Sequence, residues 1–530
     1  MNNVVLIGFM GSGKSTVGPI LAQRLGRPFR DLDDEIVAAA GRPVDAIFKD
    51  EGEVGFRRRE AGCLARALAG HGQVVAVGGG APLIEENWQR IREGNCVVAL
   101  TANPAVLAGR LDGSSSRPLL TPDAPTAIAS LLPGRIGRYL DADLVVDTDA
   151  HSPSSVAECV FSRIPSGDLD RVVVAIPGSP HEVVIGRRLA HLLPPALRRS
   201  GAGEAVLLVT DPAVGAAHAQ PMLEALERAG FAAHLHTLPD GEDAKRMEAL
   251  AGLYDRLASL RLDRAGTLVA LGGGTVGDVT GFAAATWLRG IRYVQVPTTL
   301  LAMVDSSIGG KTAINLPSGK NLVGAVHQPA AIFCDLDYLT TLPDPEFRSG
   351  MAEVCKAAMI TDRRFVDWLY ASAGPIQARD EAAVREAVRR AVAIKAAVVS
   401  EDPREDGRRA ILNYGHTIGH GLERALGFGT LRHGEAVAWG MEVAAELSVI
   451  TGRSSPGLVE TQRALLRAHG LLTERPRVAR QELLAAIQHD KKSRAGAVRW
   501  VLLRDIGQPE PGCRVEPEQL SAALDKVFQA

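Results

Sequence analysis

The sequence predicts an α/β protein of several domains, and three observations carry that reading. The strand-like run Val4 to Ile7 leads directly into a glycine-rich loop and then a helical pattern through Leu25. From Val172 onward, apolar runs of strand length alternate with helical patterns, the rhythm of a parallel sheet. At 530 residues the chain is too long for one ordinary domain and should hold about three or four.

Composition narrows the function classes. Hydrophobic content of 46%, 23% charged residues and a net charge of −2 describe a soluble globular protein with no bulk attraction to nucleic acid. Aromatic content of 4% argues against a stacking platform for single strands. No apolar run reaches the roughly 20 residues that span a bilayer, and Met1 leads into Val4 without a basic n-region or cleavage site, so a cytoplasmic protein with no membrane partner is expected. The six cysteines (Cys63, Cys96, Cys159, Cys334, Cys355, Cys513) are scattered, as expected of reduced thiols.

The first loop reads Gly8-Phe-Met-Gly11-Ser12-Gly13-Lys14-Ser15-Thr16, a P-loop between strand and helix. Its glycines let backbone amides close around phosphates at a helix N-terminus, Lys14 reaches the outer phosphates, and the Ser15 hydroxyl can ligate Mg²⁺. Three features come after it: Asp31-Leu-Asp33 where a second strand should end, Phe56-Arg57-Arg58-Arg59-Glu60 on a helix, and Val74 to Gly78-Gly79-Gly80 at a strand end. With Ser116-Arg117-Pro118 and Arg135-Ile-Gly-Arg-Tyr139, they resemble shikimate kinase over roughly residues 1 to 165. That resemblance implies ATP with Mg²⁺ as phosphoryl donor. Asp33 would hold the acceptor hydroxyl and draw its proton, Arg57 and Arg135 would clamp the substrate carboxylate, and Gly79 and Gly80 would admit close approach. Arg117 would close over the transferring phosphoryl as a mobile lid. Taken singly, each arginine is as well explained as a solvated helix-face charge.

After an expected edge strand at Leu144 to Val146, the segment Pro165 to Asp168 reads as a linker, with a domain boundary near 165 to 171. Strand runs are expected at 172–176, 205–210, 268–271, 293–296 and 331–334. Leu271-Gly-Gly-Gly274-Thr275-Val276-Gly277-Asp278 ends one strand and opens a helix. Such a run suits a dinucleotide pyrophosphate but also serves as a plain tight turn.

Farther on, LNYGHTIGHGLE places His416 and His420 four residues apart on an expected helix, so both imidazoles project from one face. His433 stands seventeen residues beyond His416, at the start of another helical stretch. Imidazoles so placed suit zinc, and spacing alone makes both members of the pair ligands.

These stretches, with Asp305 to Asn315, Gly319-Lys320-Asn321, Met351-Ala-Glu353-Val-Cys-Lys356, Lys395, Arg409 and Asp490-Lys491-Lys492, resemble 3-dehydroquinate synthase from about residue 171 to the C-terminus. The resemblance implies an N-terminal Rossmann-like α/β domain and a C-terminal all-helical domain with the site between them, giving domains 1–167, 168–336 and 337–530. It assigns zinc, or Co²⁺ in its place, to Glu353, His416 and His433, and makes His420 a catalytic or substrate-contacting residue. NAD⁺ would lie on Asp240, Gly241, Glu242 and Lys245, on Gly274 to Asp278, on Thr298 and Thr299, and on Lys320. Lys311, Asn321, Lys356, Lys395, Arg409, Asn413 and Lys491 would bind substrate phosphate, carboxylate and hydroxyls, with Asp305 on the ring. Arg289 would reach in from a neighbouring subunit of a homo-oligomer, a dimer through the synthase half.

The implied activities are ATP-dependent phosphorylation of shikimate and conversion of 3-deoxy-D-arabino-heptulosonate 7-phosphate to 3-dehydroquinate with release of phosphate. A metal-dependent polyol dehydrogenase is the alternative for the second half, but an unphosphorylated polyol has no use for the lysine- and asparagine-rich run 305 to 321. A non-catalytic scaffold descended from such enzymes would have been favoured by loss of Lys14, Asp33 or a zinc ligand, and all are present.

Overall fold

The computed structural model describes residues 3–111, 124–149, 151–164, 169–405, 407–427, 429–492 and 498–528. Two compact units emerge: Met1–Arg171 with Gly186–Glu204 and Pro221–Ala232, and Val172–Ile185 with Ala205–Gln220 and Ala233–Ala530.

The first unit is built on strands β1 (Val4–Ile7), β2 (Phe29–Asp31), β3 (Val74–Ala76), β4 (Cys96–Thr101) and β5 (Leu144–Asp147), in the order β2-β3-β1-β4-β5 with all pairings parallel. Every residue of β1 is buried. Strand alternation sends Val5 and Ile7 into one apolar cluster and Val4 and Leu6 into another, so both faces of the sheet are covered. Strand order reverses beside β1, and the loop after β1 therefore sits where open α/β sheets bind ligands. The helix Lys14–Leu25 begins there, after Gly13 at φ 97°, a left-handed conformation that favours glycine.

In the second unit a seven-stranded sheet runs β6-β7-β14-β11-β10-β8-β9, from β6 (Asp170–Val174), β7 (His181–Gly186), β8 (Ala205–Thr210), β9 (Ala232–Thr237), β10 (Thr267–Gly272), β11 (Arg292–Pro297) and β14 (Ala331–Asp335). Strands β8, β10, β11 and β14 pair in parallel, as the alternating rhythm predicts. An antiparallel hairpin, β12 (Lys311–Leu316) and β13 (Gly319–Val326), stands apart from this sheet. Among the described residues beyond β14 the regular structure is helical apart from a short hairpin, β15 (Trp500–Leu503) and β16 (Pro509–Cys513). The centre of this helical part is the helix Asp344–Met359, buried at every residue from Ser349 to Met359, and such all-round burial marks a core helix.

Two glycines set the helix spacing. Gly434 lies against the backbone of Ser349, and Gly440 lies against the backbone of Gly415, each where a Cβ would collide. The helix His433–Ile450 therefore approaches both Asp344–Met359 and His416–Ala425 at backbone contact. Among the described residues no helix is long and apolar enough to cross a membrane. The six cysteines are thiols, not joined in disulfides among the described residues.

Candidate functional sites

In the first unit, a cavity of about 710 Å³ is lined by Gly11 to Thr16, Asp31, Asp33, Arg57, Gly78 to Gly80 and Arg135. The strand ends thus gather every described residue that the sequence assigns to phosphoryl transfer. Arg117 lies outside the described residues. Lys14 Nζ donates to the carbonyls of Gly8 and Phe9 at 2.9 and 3.1 Å, which aims the ammonium back across the loop. Ser15 Oγ donates to Asp31 Oδ2 at 2.6 Å, making a hydroxyl–carboxylate pair beside the loop. Arg57 donates to the buried Glu60 at 2.7 Å, and its guanidinium stands where a Cβ on Gly80 would project. Burial pushes the Glu60 carboxyl up, against the pull of Arg57. Arg135 is buried over the Phe9 ring, 5.5 Å from its centroid, and Tyr139 Oη donates to the Gly79 carbonyl at 2.7 Å.

Among the other residues that line this cavity, Glu60 and Arg110 carry charge that no sequence pattern singles out. Glu60 ends the Arg-Arg-Arg-Glu run, where it looks like flanking charge. Arg110 donates to Thr148 Oγ1 at 2.9 Å and to the Gly11 carbonyl at 3.3 Å.

In the second unit, the turn Asp240 to Lys245, the start of the helix Gly274–Thr286 and the β12–β13 hairpin come together. Lys245 Nζ donates to Asp278 Oδ2 at 2.6 Å and to Asn321 Oδ1. Glu242 accepts from Lys320 Nζ at 2.7 Å and from Asn315 Nδ2 at 2.6 Å. Burial pushes the Asp278 carboxyl up, with the Lys245 ammonium opposing it. Thr298 donates its amide to the Gly272 carbonyl at 3.0 Å while its buried Oγ1 has no hydrogen-bond partner among the described residues, and Thr299 Oγ1 accepts from the Ala302 amide. The Val276 side chain belongs to the core, which leaves only its backbone for a ligand. Arg289 is exposed, in a left-handed conformation at φ 67°.

The three helices fixed by Gly434 and Gly440 bring Glu353, His416 and His433 to one point. Glu353 Oε1 lies 3.6 Å from His416 Nε2 and 3.7 Å from His433 Nε2. That oxygen is buried without a hydrogen-bond partner among the described residues, while Oε2 meets the Lys356 ammonium. An orphaned buried carboxylate oxygen facing two imidazole nitrogens is a costly arrangement that a cation relieves, so the donor set fits a divalent metal. Burial alone would push the Glu353 carboxyl up; the Lys356 ammonium and the imidazoles outweigh it and hold it well below the usual carboxylate range. His420 is exposed, its ring 5.3 Å from that of His416.

Around this point Lys395 pairs with Asp305, and Lys311 with Glu405. Asn413 Nδ2 donates to Glu405 Oε1 at 2.7 Å. Arg409 is buried and donates to the Pro403 carbonyl at 2.8 Å. Lys491 lies on the helix Arg480–Lys492, with its side chain outside what is described. Glu405, held at φ 62°, joins two assigned residues, and no spacing pattern in the sequence marks it.

Residues 235–349 match the family described as 3-dehydroquinate synthase N-terminal, and 350–493 match 3-dehydroquinate synthase C-terminal. The 3-dehydroquinate synthase of Synechocystis sp. is 43% identical over 356 residues, covering 67% of this chain and 99% of that protein. The chain belongs to the 3-dehydroquinate synthase family. Residues 10–165 of the chain match the shikimate kinase family, so one chain joins two enzymes of the shikimate pathway. A second relative, the 3-dehydroquinate synthase of Nitrosomonas europaea, is 46% identical over 61% of this chain and 87% of its own length.

Among solved structures, 2-epi-5-epi-valiolone synthase from Streptomyces hygroscopicus subsp. jinggangensis, with NAD⁺ and Zn²⁺ bound, is 28% identical at a TM-score of 0.61, covering 66% of this chain and 97% of that one. A 2-deoxy-scyllo-inosose synthase complexed with carbaglucose-6-phosphate, NAD⁺ and Co²⁺ is 26% identical at 0.62, covering 68% and 99%.

Proposed function

We propose that the chain phosphorylates shikimate with ATP at the P-loop cavity and converts 3-deoxy-D-arabino-heptulosonate 7-phosphate to 3-dehydroquinate at the Glu353 site. The observation that supports the second reading most strongly is the unpartnered Glu353 Oε1 between His416 Nε2 and His433 Nε2.

In the kinase, the amides of Gly11 to Thr16 and the Lys14 ammonium bind the phosphates of ATP. Ser15 and Asp31 would hold Mg²⁺, which would offset the charge of the phosphates. Asp33 orients the acceptor hydroxyl and takes its proton, and Arg57 and Arg135 hold the carboxylate. Glu60 keeps Arg57 aimed at Gly80.

In the synthase, Glu353, His416 and His433 would hold Zn²⁺ or Co²⁺, a Lewis acid for the substrate oxygens, and the Asp240–Lys245, Gly274–Asp278, Thr298–Thr299 and Lys320 groups would hold NAD⁺, which takes up and gives back a hydride. Lys311, Lys356, Lys395, Arg409, Asn321, Asn413 and Lys491 surround the substrate with positive and amide donors, which a dianionic phosphate needs in a site shielded from water. Asp305 accepts from the ring hydroxyls. His420, at the exposed side, moves a proton at the substrate. The domains are taken as 1–167, 168–336 and 337–530. The enzyme is cytoplasmic and forms a dimer through the synthase half, to whose partner site the exposed Arg289 is available.

Incubating the full chain with the seven-carbon ketose acid phosphate and catalytic NAD⁺ tests this reading. Phosphate should be released without accumulation of NADH; stoichiometric NADH would assign the second half to polyol oxidation.

A further inference from the structure

We propose that Glu423 is a positioning residue for His433, fixing which ring nitrogen faces the metal. This inference rests on the ligand assignment under Proposed function. The His433 imidazole lies between two carboxylates: Nε2 is 3.7 Å from Glu353 Oε1, and Nδ1 is 3.5 Å from Glu423 Oε1. A neutral imidazole offers one lone pair and one N–H, so only one nitrogen can ligate while the other donates. The buried, unpartnered Glu353 oxygen marks the metal side. Nδ1–H is therefore directed at Glu423.

Sequence and fold explain why Glu423 stands there. It lies seven residues beyond His416 on the helix His416–Ala425, with His420 between them, so the three share one face, and that face meets the start of His433–Ile450. The two histidine ligands are not supported alike. His416 Nδ1 lies 3.3 Å from the Tyr414 carbonyl, a neutral acceptor, whereas His433 has a carboxylate. A carboxylate partner holds the ring in one tautomer and raises its basicity as a ligand. A competing reading exists in the same atoms, because His420, Glu423 and His433 also offer ligand atoms within 4.8 Å of one another. That reading takes a second cation and uses Glu423 as a ligand.

The test is zinc titration of the metal-free full chain against a chromophoric chelator, for wild type, Glu423→Gln, Glu423→Ala and His433→Ala, with Co²⁺ absorption spectra and thermal unfolding of the metal-free forms. Wild type should bind one zinc per chain. Glu423→Ala should bind one zinc about 10–100-fold more weakly, with shifted Co²⁺ bands and unchanged unfolding. Glu423→Gln should recover part of the affinity, because its amide oxygen still accepts from Nδ1–H. Wild-type affinity and Co²⁺ spectra in both Glu423 variants, with metal lost in His433→Ala, would overturn the inference and leave the ligand assignment standing. A fall from two zinc ions to one in Glu423→Ala would make Glu423 a ligand of a second ion and overturn it too. Retention of zinc by His433→Ala would overturn the ligand assignment and this inference with it.

Discussion

The Asp143 carboxylate is ion-paired to the guanidinium of Arg171, which lies beyond the linker in sequence but within the same compact unit. Asp143 also accepts the Val97 amide at 2.9 Å, and both members of the pair are shielded from water. Burial alone would push the Asp143 carboxyl up; the guanidinium groups of Arg171 and Arg199 outweigh it and hold it below its ordinary range. Removing one partner of such a pair leaves a buried charge uncompensated, at a cost of about 3–5 kcal/mol. Arg171→Met should therefore destabilise the first unit by about that much in urea unfolding, and Asp143→Asn added to it should recover most of the loss. A double variant no more stable than Arg171→Met contradicts this. A fragment ending at residue 167 keeps Asp143 and loses Arg171, so it should be less stable than the same unit in the full chain.

The residues proposed for the two chemistries are disjoint, so point variants should separate them. Lys14→Met removes a charge on the transferring phosphates and should stop phosphorylation of shikimate with synthase turnover unchanged. His416→Ala should do the reverse. Steady-state assays of both reactions on each variant decide the matter: a change above about tenfold in the untouched activity, roughly 1.4 kcal/mol of barrier, would mean the sites are coupled.

Members of the histidine pair should differ in metal content. His420→Ala is expected to keep the wild-type metal content and lower turnover, whereas His433→Ala is expected to lose the metal. Elemental analysis of the two purified variants distinguishes these outcomes, and equal loss in both would restore the simple reading in which His416 and His420 ligate together.

His469 sets an acid limit on stability. It is buried, with Nε2 3.2 Å from the Leu369 carbonyl, and burial lowers it from the usual 6.5 to about 4. A histidine depressed in the fold takes up its proton first when unfolded, so its contribution is constant above the unfolded value and is lost as pH falls from about 6.5 toward 4. Between pH 7.5 and 5 the loss should be about 2 kcal/mol. His469→Gln should flatten that part of the profile in denaturant titrations, and an unchanged slope would assign the acid sensitivity elsewhere.

Much of the fold is legible in the sequence because its central strands are buried on both faces and read as continuous apolar runs; β1, β8, β10, β11 and β14 fall where such runs stand. Strand β9 is not, since it is an edge strand whose His234 and His236 break any apolar signal. The β12–β13 hairpin is hidden because its polar residues read as a ligand-binding run, and Leu322 and Val326 on it are exposed. The site divides in the same way. His416 and His420 announce themselves by helical spacing, but Glu353 is far away in sequence and reaches them only because Gly434 and Gly440 let three helices meet. Family resemblance supplies Glu353 and neither resemblance nor spacing supplies Glu405, whereas spacing puts Glu423 on the face of His416 and His420 and the fold shows its neighbour, His433.

Metal removal with both activities assayed on the same sample tests the central claim, one chain with a metal-dependent synthase and a separate P-loop kinase. After chelation and desalting, with Mg²⁺ restored, the synthase should be inactive and the kinase unaffected, and added zinc should return the synthase. Full synthase turnover with less than about a tenth of an equivalent of bound metal would contradict it.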